Sequence, residues 1–304
     1  MALNDIKKQI NSISKTAQIT NAMQLISTTK YNRISENAKR YQLYSEQIRQ
    51  TVIRLVQSVS NLSSLSTEEF ADSDILNSHN LLTVRPIKKT AVMLITSTQG
   101  LAGSYNTGLL KEVEHKLKDY DQDQIAIIGF GSPAIKFART HNYPLLLQRV
   151  QTSSYPDFVE VQNIIRQIVA MFVDGTFDEL VICYNHAVTV MQVDTKFEQL
   201  LPLSAEHLFP HDREVKRSQA EYIVEPNWQN VLDRLLPLYV ESQIYGAIID
   251  AKSAEYSSRM QAMQQATDNA NDLIDDLQQE YHHERQKRIT NEIIEIINGA
   301  NAQG

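Results

Sequence analysis

Proline is confined to the middle of this 304-residue chain, and glycine is concentrated there. No proline precedes Pro86 or follows Pro237, no glycine precedes Gly100, and six of the nine glycines lie between Gly100 and Gly175. Proline removes a backbone donor and clashes with the preceding turn, so stretches without it can run on as helix. Both ends are therefore expected to be helical over tens of residues, with the middle broken into short elements.

The apolar residues at the ends recur at the matching spacing. Leu3, Ile6, Ile10, Ile13 and Ala17 step by 3, 4, 3, 4, and Ile48, Val52, Leu55, Val59 and Leu62 step by 4, 3, 4, 3. A mean repeat of about 3.5 is the seam of a coiled coil. Between the two runs, Ile19, Met23 and Ile26 shift the register ahead of a polar stretch. Near the other end Tyr256, Met260, Met263, Ala266, Ala270, Leu273, Leu277 and Tyr281 continue into Ile289, Ile293, Ile296 and Ala300. A helix of about 60 residues is about 90 Å long, where the mean globular helix has about 11–12 residues. Such a stripe needs a partner, and charge points to one. Residues 1–60 carry nine Lys/Arg and three Asp/Glu, net +6; residues 240–304 carry five and eleven, net −6. Opposite fields favour pairing the two ends as an antiparallel coiled coil and oppose self-association of either. With many Ala, Thr and Met positions, the rod is slim rather than strongly packed.

The middle alternates strand and helix patterns. "KTAVMLITST" is a β-branched apolar run, followed by "QGLAGSYNTG" and the helical "LLKEVEHKLKDY". "DQIAIIGFGSP" is a second strand and turn before "AIKFARTH"; "YPDFVEVQNIIRQIVAMFVDGTF" is a helix, "DELVICYNHA" a strand and "VTVMQVDTKFEQLLPL" a last strand. Alternation of this kind implies a mostly parallel sheet with helices on its faces. The fold class expected is thus α/β with long terminal helices: an antiparallel coiled coil of the two ends plus an inserted Rossmann-like domain. The boundaries read as 1–62 for the first helix, 63–226 for the α/β domain with polar loops at 63–80 and 204–222, and 227–304 for the last helix.

Composition narrows the function. The net charge of −7 argues against nucleic acid as the main partner. The single cysteine, Cys183, sits in "ELVICY" and reads as a buried structural thiol of a reducing compartment. "MALNDIKKQI" has no signal-peptide core and no window approaches the ~18 apolar residues of a membrane span, so a soluble protein on the cytoplasmic side is expected, with the sequon at Asn61 unglycosylated. "TSTQGLAGSYNTG" stands where backbone N–H groups cradle phosphates in other α/β proteins, but it fits neither G-x-G-x-x-G nor G-x-x-x-x-G-K-[ST]. A tight strand-to-helix turn and a nucleotide site both remain readings, the spacing favouring the turn, as it does for "GFGSP". His282 and His283 are neighbours about 100° apart on a helix and cannot clamp one metal; Asp272, Asp275 and Asp276 read as a solvated acidic face. No catalytic constellation is recognisable, and no cofactor or metal is expected. The basic first helix could face nucleic acid, an acidic membrane or acidic protein loops, but Tyr31, Tyr41 and Tyr44 follow rather than interleave its charges, which weakens the first of these.

Several motifs are more specific than the architecture. "DIKKQINSISKTAQITNAMQLISTTK", "ITSTQGLAGSYNTGLL", "QLLPL", "VEPN" and above all "SRMQAMQQATDNANDLIDDLQQEYHHERQKRIT" with "NEIIEIINGA" resemble the gamma subunits of F-type ATP synthases of bacterial type over essentially the whole chain. In the family's pattern Ala stands where this chain has Ser258. The resemblance implies a mechanical part rather than an active site. The paired helices would form the rotor shaft inside the alpha/beta hexamer, and the α/β domain would sit at the foot beside epsilon on the c-subunit ring. Turning there, driven by protons or sodium ions, would drive ATP synthesis on beta, and hydrolysis would reverse it. The protein would be a non-catalytic subunit, peripheral to the cytoplasmic face of the cell membrane. By position, the resemblance assigns Met23, Arg259, Arg285, Gln286 and Thr290 to contacts with beta-subunit loops, and Tyr222 and Glu225 to the c ring and epsilon. Gln18 and Asn21 replace family lysines, Lys287 and Arg288 replace small residues and return charge, and Ala102 and Ser104 stand where Cys and Gly are common. With no second cysteine, the thiol switch of the chloroplast type is not expected.

Overall fold

The computed structural model describes residues 3–60, 79–150, 153–189, 192–203, 224–225 and 227–301. Asn61, Leu62, Tyr222 and most of the two polar loops lie outside these residues. The chain starts in one long helix, α1 (Leu3–Ser60, 58 residues), and ends in another, α5 (Trp228–Asn301, 74 residues). Between them run β1 (Thr90–Ile95), α2 (Tyr105–Leu117), β2 (Ile125–Phe130), α3 (Ser132–Thr140), β3 (Leu145–Arg149), α4 (Phe158–Val173), β4 (Glu179–Ala187) and β5 (Val193–Leu201). The fold divides into two units, Met1–Thr29 with Arg259–Gly304, and Lys30–Ser258.

The first unit is the antiparallel helix pair. Thr20 Oγ1 meets Thr267 Oγ1 at 2.7 Å and Gln24 donates to Gln264, so the numbering rises on one helix as it falls on the other. On α1 positions 3, 6, 10, 13, 17, 20, 24 and 27 are shielded in a 3–4 alternation, with Ser14 and Met23 half-buried beside it. Of the residues expected to shift the register, Met23 is half-buried, but Ile19 and Ile26 are not. Ile19 and Ile26 are 60% and 55% exposed, and the seam instead turns polar, through Thr20, Gln24 and Ser27. These three polar groups fit the seam because each is hydrogen-bonded: the Ser27 hydroxyl donates to the Met23 carbonyl at 2.7 Å, and Thr20 and Gln24 bond across the pair. The facing seam runs through Met263, Thr267, Ala270, Ile274, Leu277 and Tyr281 to Glu284. Ile274 takes the place expected of Leu273, which points to solvent at 47% exposure.

In the second unit, β1, β2, β3 and β4 are parallel and β5 runs antiparallel beside β4, in the order β3-β2-β1-β4-β5. The strand β3, which no apolar alternation announced, forms the edge. Alternate residues of β1 feed two cores. Val92 and Leu94 pack with Leu109 and Val113 of α2 and with Phe137 of α3; Ala91, Met93 and Ile95 join Ile165 and Phe172 of α4, Val52 and Ile53 of α1, and Leu236 and Ile248 of α5. Both faces are covered, which is why β1 and β2 read as continuous apolar runs. The helix α5 runs through Pro237. Proline there removes one ladder hydrogen bond, and the buried Leu232, Leu236, Tyr239 and Val240 around it anchor both sides of the gap.

The exposed end of α5 and the rim of the sheet

In the first unit, the offset set by Thr20–Thr267 and Gln24–Gln264 brings Leu3 level with Glu284. Beyond it, residues 285–298 are all exposed. Ile289, Ile293 and Ile296, expected to extend the seam, have no facing helix among the described residues and are 44%, 51% and 71% exposed. With Ile297 they form an apolar stripe on about 17 residues of single helix, about 25 Å long. Arg285, Gln286 and Thr290 all lie exposed on this stretch. Lys287 and Arg288 pair with Glu284 at 2.8 Å and Glu292 at 2.9 Å, so much of their charge is answered on the helix itself. Met23 and Arg259 belong to the paired part: Met23 is half-buried opposite residues 264–265, and Arg259 is 4% exposed. The 26 residues from Arg259 to Arg285 span about 40 Å of helix, so the five positions occupy two separate levels rather than one cluster.

In the second unit, chain order reverses between β1 and β4, and their carboxyl ends define the crevice where open α/β sheets bind ligands. Here that crevice holds α5. Lys252 Nζ donates to Thr98 Oγ1 at 2.8 Å and pairs with Glu255 at 2.9 Å; the Lys252 and Glu255 side chains are 5% and 2% exposed. The Tyr105 hydroxyl donates to the Ala251 carbonyl at 2.9 Å, and Asn185 holds the Tyr105 carbonyl at 2.9 Å. At the end of β4, His186 Nδ1 binds the Asp250 carboxylate. Burial raises the Asp250 carboxyl above the usual range, opposed by His186. The glycine-rich turn is likewise engaged by its own chain, since Asn106 takes the Ser97 N–H at 3.0 Å and donates to the Ser97 hydroxyl at 2.7 Å. A hollow of about 10 Å³ is left between Thr96, Tyr105, Gly131, Lys252 and Glu255, too small for a phosphate. This geometry favours the turn over the nucleotide cradle. Cys183 is fully buried and its thiol is pushed well up by desolvation, as a structural cysteine should be.

Glu225 is exposed beside a hollow of about 210 Å³ lined also by Thr51, Arg54, Val231 and Leu235; Tyr222 lies outside the described residues. Among the described residues no cluster of His, Cys, Asp and Glu could hold a metal, and no helix is long and apolar enough to cross a membrane. No motif of the sequence marks the rim residues Thr98, Asp250, Lys252 and Glu255. A signal existed: "DAKSAE" sets three charges inside the otherwise apolar "IYGAII…Y".

The family model described as ATP synthase matches residues 2–303. The ATP synthase gamma chain of Lacticaseibacillus paracasei is 40% identical over 307 aligned residues, covering 99% of this chain and 98% of that one. The gamma chain of Latilactobacillus sakei is 40% identical over 314, with the same coverage. Among solved structures, a chain from the central stalk and c-ring of the Tetrahymena thermophila mitochondrial ATP synthase aligns with a TM-score of 0.55 at 21% identity, over 82% of this chain and 99% of that one. A chain from the rotor of the Euglena gracilis mitochondrial ATP synthase gives 0.58 at 13% identity, over 94% and 98%. The structural likenesses speak for the fold, the sequence relatives for descent: this chain belongs to the ATP synthase gamma-chain family, a subunit of the complex distinct from its catalytic one.

Proposed function

We propose that the chain is the central rotor shaft of a membrane-bound F-type ATP synthase, coupling c-ring rotation driven by protons or sodium ions to ATP synthesis and hydrolysis on the beta subunits. Its partners are the alpha/beta hexamer, epsilon and the c ring, and it works at the cytoplasmic face of the membrane without crossing it. The observation that carries this reading is the single-helix end of α5. Four isoleucines on one face of a helix with no facing partner among the described residues suit a narrow apolar sleeve, as the axis of a hexamer would provide. A rotor must also slide inside that sleeve, and the polar residues around the stripe suit a surface that holds no fixed partner.

The site assignments follow the same division. Gln286, Thr290 and Arg285 present exposed polar groups to passing beta-subunit loops, while half-buried Met23 serves a second level on the paired shaft, where Arg259 at 4% exposure stands behind the surface rather than on it. Glu225 and Tyr222 face the c ring and epsilon. The test is reconstitution. Alpha and beta subunits should gain high ATPase turnover when this chain is added, and the chain should co-purify with alpha, beta and epsilon while showing no ATPase of its own. Failure to co-purify with beta, or turnover unchanged by its addition, would overturn the assignment.

A further inference from the structure

Resting on that rotor assignment, we propose that the carboxyl-end rim of the sheet is a two-jawed clamp on the turn of α5 at residues 250–255, which keeps that turn from rotating within the α/β domain. One jaw is Thr98, after β1, holding Lys252; the other is His186, at the end of β4, holding Asp250. Lys252 and Asp250 are two residues apart, so their side chains leave the helix about 160° from one another on the shorter way round. The rim therefore straddles α5 rather than touching one side of it. Grips on nearly opposite sides resist rotation of the helix within the rim, which an apolar contact on one face does not.

The chemistry of the jaws favours direction over adhesion. A buried ion pair such as Lys252–Glu255 is on balance close to neutral against an apolar pair of the same size, so stability alone does not call for it. It does fix where the ammonium points, and Thr98 Oγ1 lies at that point. Between the jaws, Tyr105 holds the Ala251 carbonyl and is itself held by Asn185, and Asn185 also accepts from the Thr195 hydroxyl at 3.0 Å. Three elements at one edge of the sheet thus converge on a single helical turn. The place where this fold class takes ligands has become the seat of a shaft.

The experiment uses the assembled holoenzyme in membrane vesicles and compares ATP-driven ion pumping with ATP hydrolysis in the same preparation. Thr98→Val with Asp250→Ala opens both jaws while leaving Lys252–Glu255 intact. Losing a hydrogen bond to a charged group weakens the gripped state about tenfold or more per jaw. The pumping-to-hydrolysis ratio should therefore fall severalfold while hydrolysis stays near wild type, a split that general loosening of the fold would not give. His186→Cys with Asp250→Cys, joined by a short bis-maleimide, locks one jaw covalently and should restore the ratio lost in its unlinked form. An unchanged ratio in the jaw-opening variant, or hydrolysis blocked by the cross-link, would overturn the clamp. If the jaw-opening variant does not assemble, the cross-linked arm decides alone. Failure of the rotor reading would look different, because the wild-type chain would then support no pumping at all.

Discussion

Replacing Gly131 by alanine should destabilise the sheet, whereas the same change at Gly246 should strengthen α5, and the pair forms a controlled test. Gly131 caps α3 at φ 89° and ψ 152°, a region open essentially to glycine alone, at a cost of about 1–3 kcal/mol for any other residue. A Cβ there would stand 2.5 Å from Thr96 Oγ1 and 2.6 Å from the Ser97 carbonyl oxygen. Moving the Thr96 hydroxyl breaks its bond to the Phe130 carbonyl at 2.8 Å and the one it accepts from the Ala134 N–H at 3.2 Å. At about 1 kcal/mol each, these bring the expected loss to about 3–5 kcal/mol. At Gly246 the nearest atom to a new Cβ is Tyr41 Cδ1 at 4.0 Å, an ordinary contact. Alanine there should gain about 0.5–1 kcal/mol of helix propensity. The only tryptophan, Trp228, packs against the larger core of this unit, so its fluorescence follows the unit in urea. With a slope of about 3 kcal/mol per molar, the midpoint should drop by about 1–1.7 M for Gly131→Ala and rise by about 0.2–0.3 M for Gly246→Ala. A wild-type midpoint for Gly131→Ala, or shifts of the same sign in both variants, would refute the reasoning.

In the helix pair, Ile6 is fully buried, and Ile6→Ala should cost about 2–4 kcal/mol, seen as faster amide exchange over residues 3–29 with the sheet unaffected. Gln286→Ala with Thr290→Ala changes only exposed side chains, so helix content should hold within about 0.5 kcal/mol while torque transfer weakens. Wild-type ATP synthesis in that double variant would remove both residues from the site. Burial pushes the Tyr239 phenol from its ordinary 10 up to about 12. Between those values the unfolded chain has lost this proton and the folded chain has kept it, so stability should fall as pH rises from 10 to about 12. Tyr239→Phe should lessen that slope by one proton, and an identical alkaline profile would contradict it. Amides 285–298 should exchange fast in the isolated chain and slowly in the assembled complex, since a single helix of this length is marginal in water.

The long helices were legible because breakers act locally and their absence can be counted. The sheet was legible because β1, β2 and β4 are buried on both faces and leave apolar runs. The edge strand β3 is half-buried and only five residues long, and "LLLQR" after Pro144 gives no alternation to read. The seam at Thr20, Gln24 and Ser27 escapes an apolar count for a different reason. Periodicity counts apolar residues, and here the shielded positions are polar while Ile19, Leu25 and Ile26 face outward. A seam that turns polar while apolar residues lie on the surface inverts the usual order, and the inversion has a consequence. A pair held by hydroxyls and amides loses little when its helices shift slightly, because each hydrogen bond is worth only about 1 kcal/mol net. The isoleucines turned outward instead lose water-exposed area only when another surface closes over them. In this stretch the apolar area is therefore left uncovered by the facing helix, as it is at Ile289, Ile293 and Ile296. Neither place could be recognised from spacing alone, since a heptad repeat records that an apolar face exists and not which body covers it.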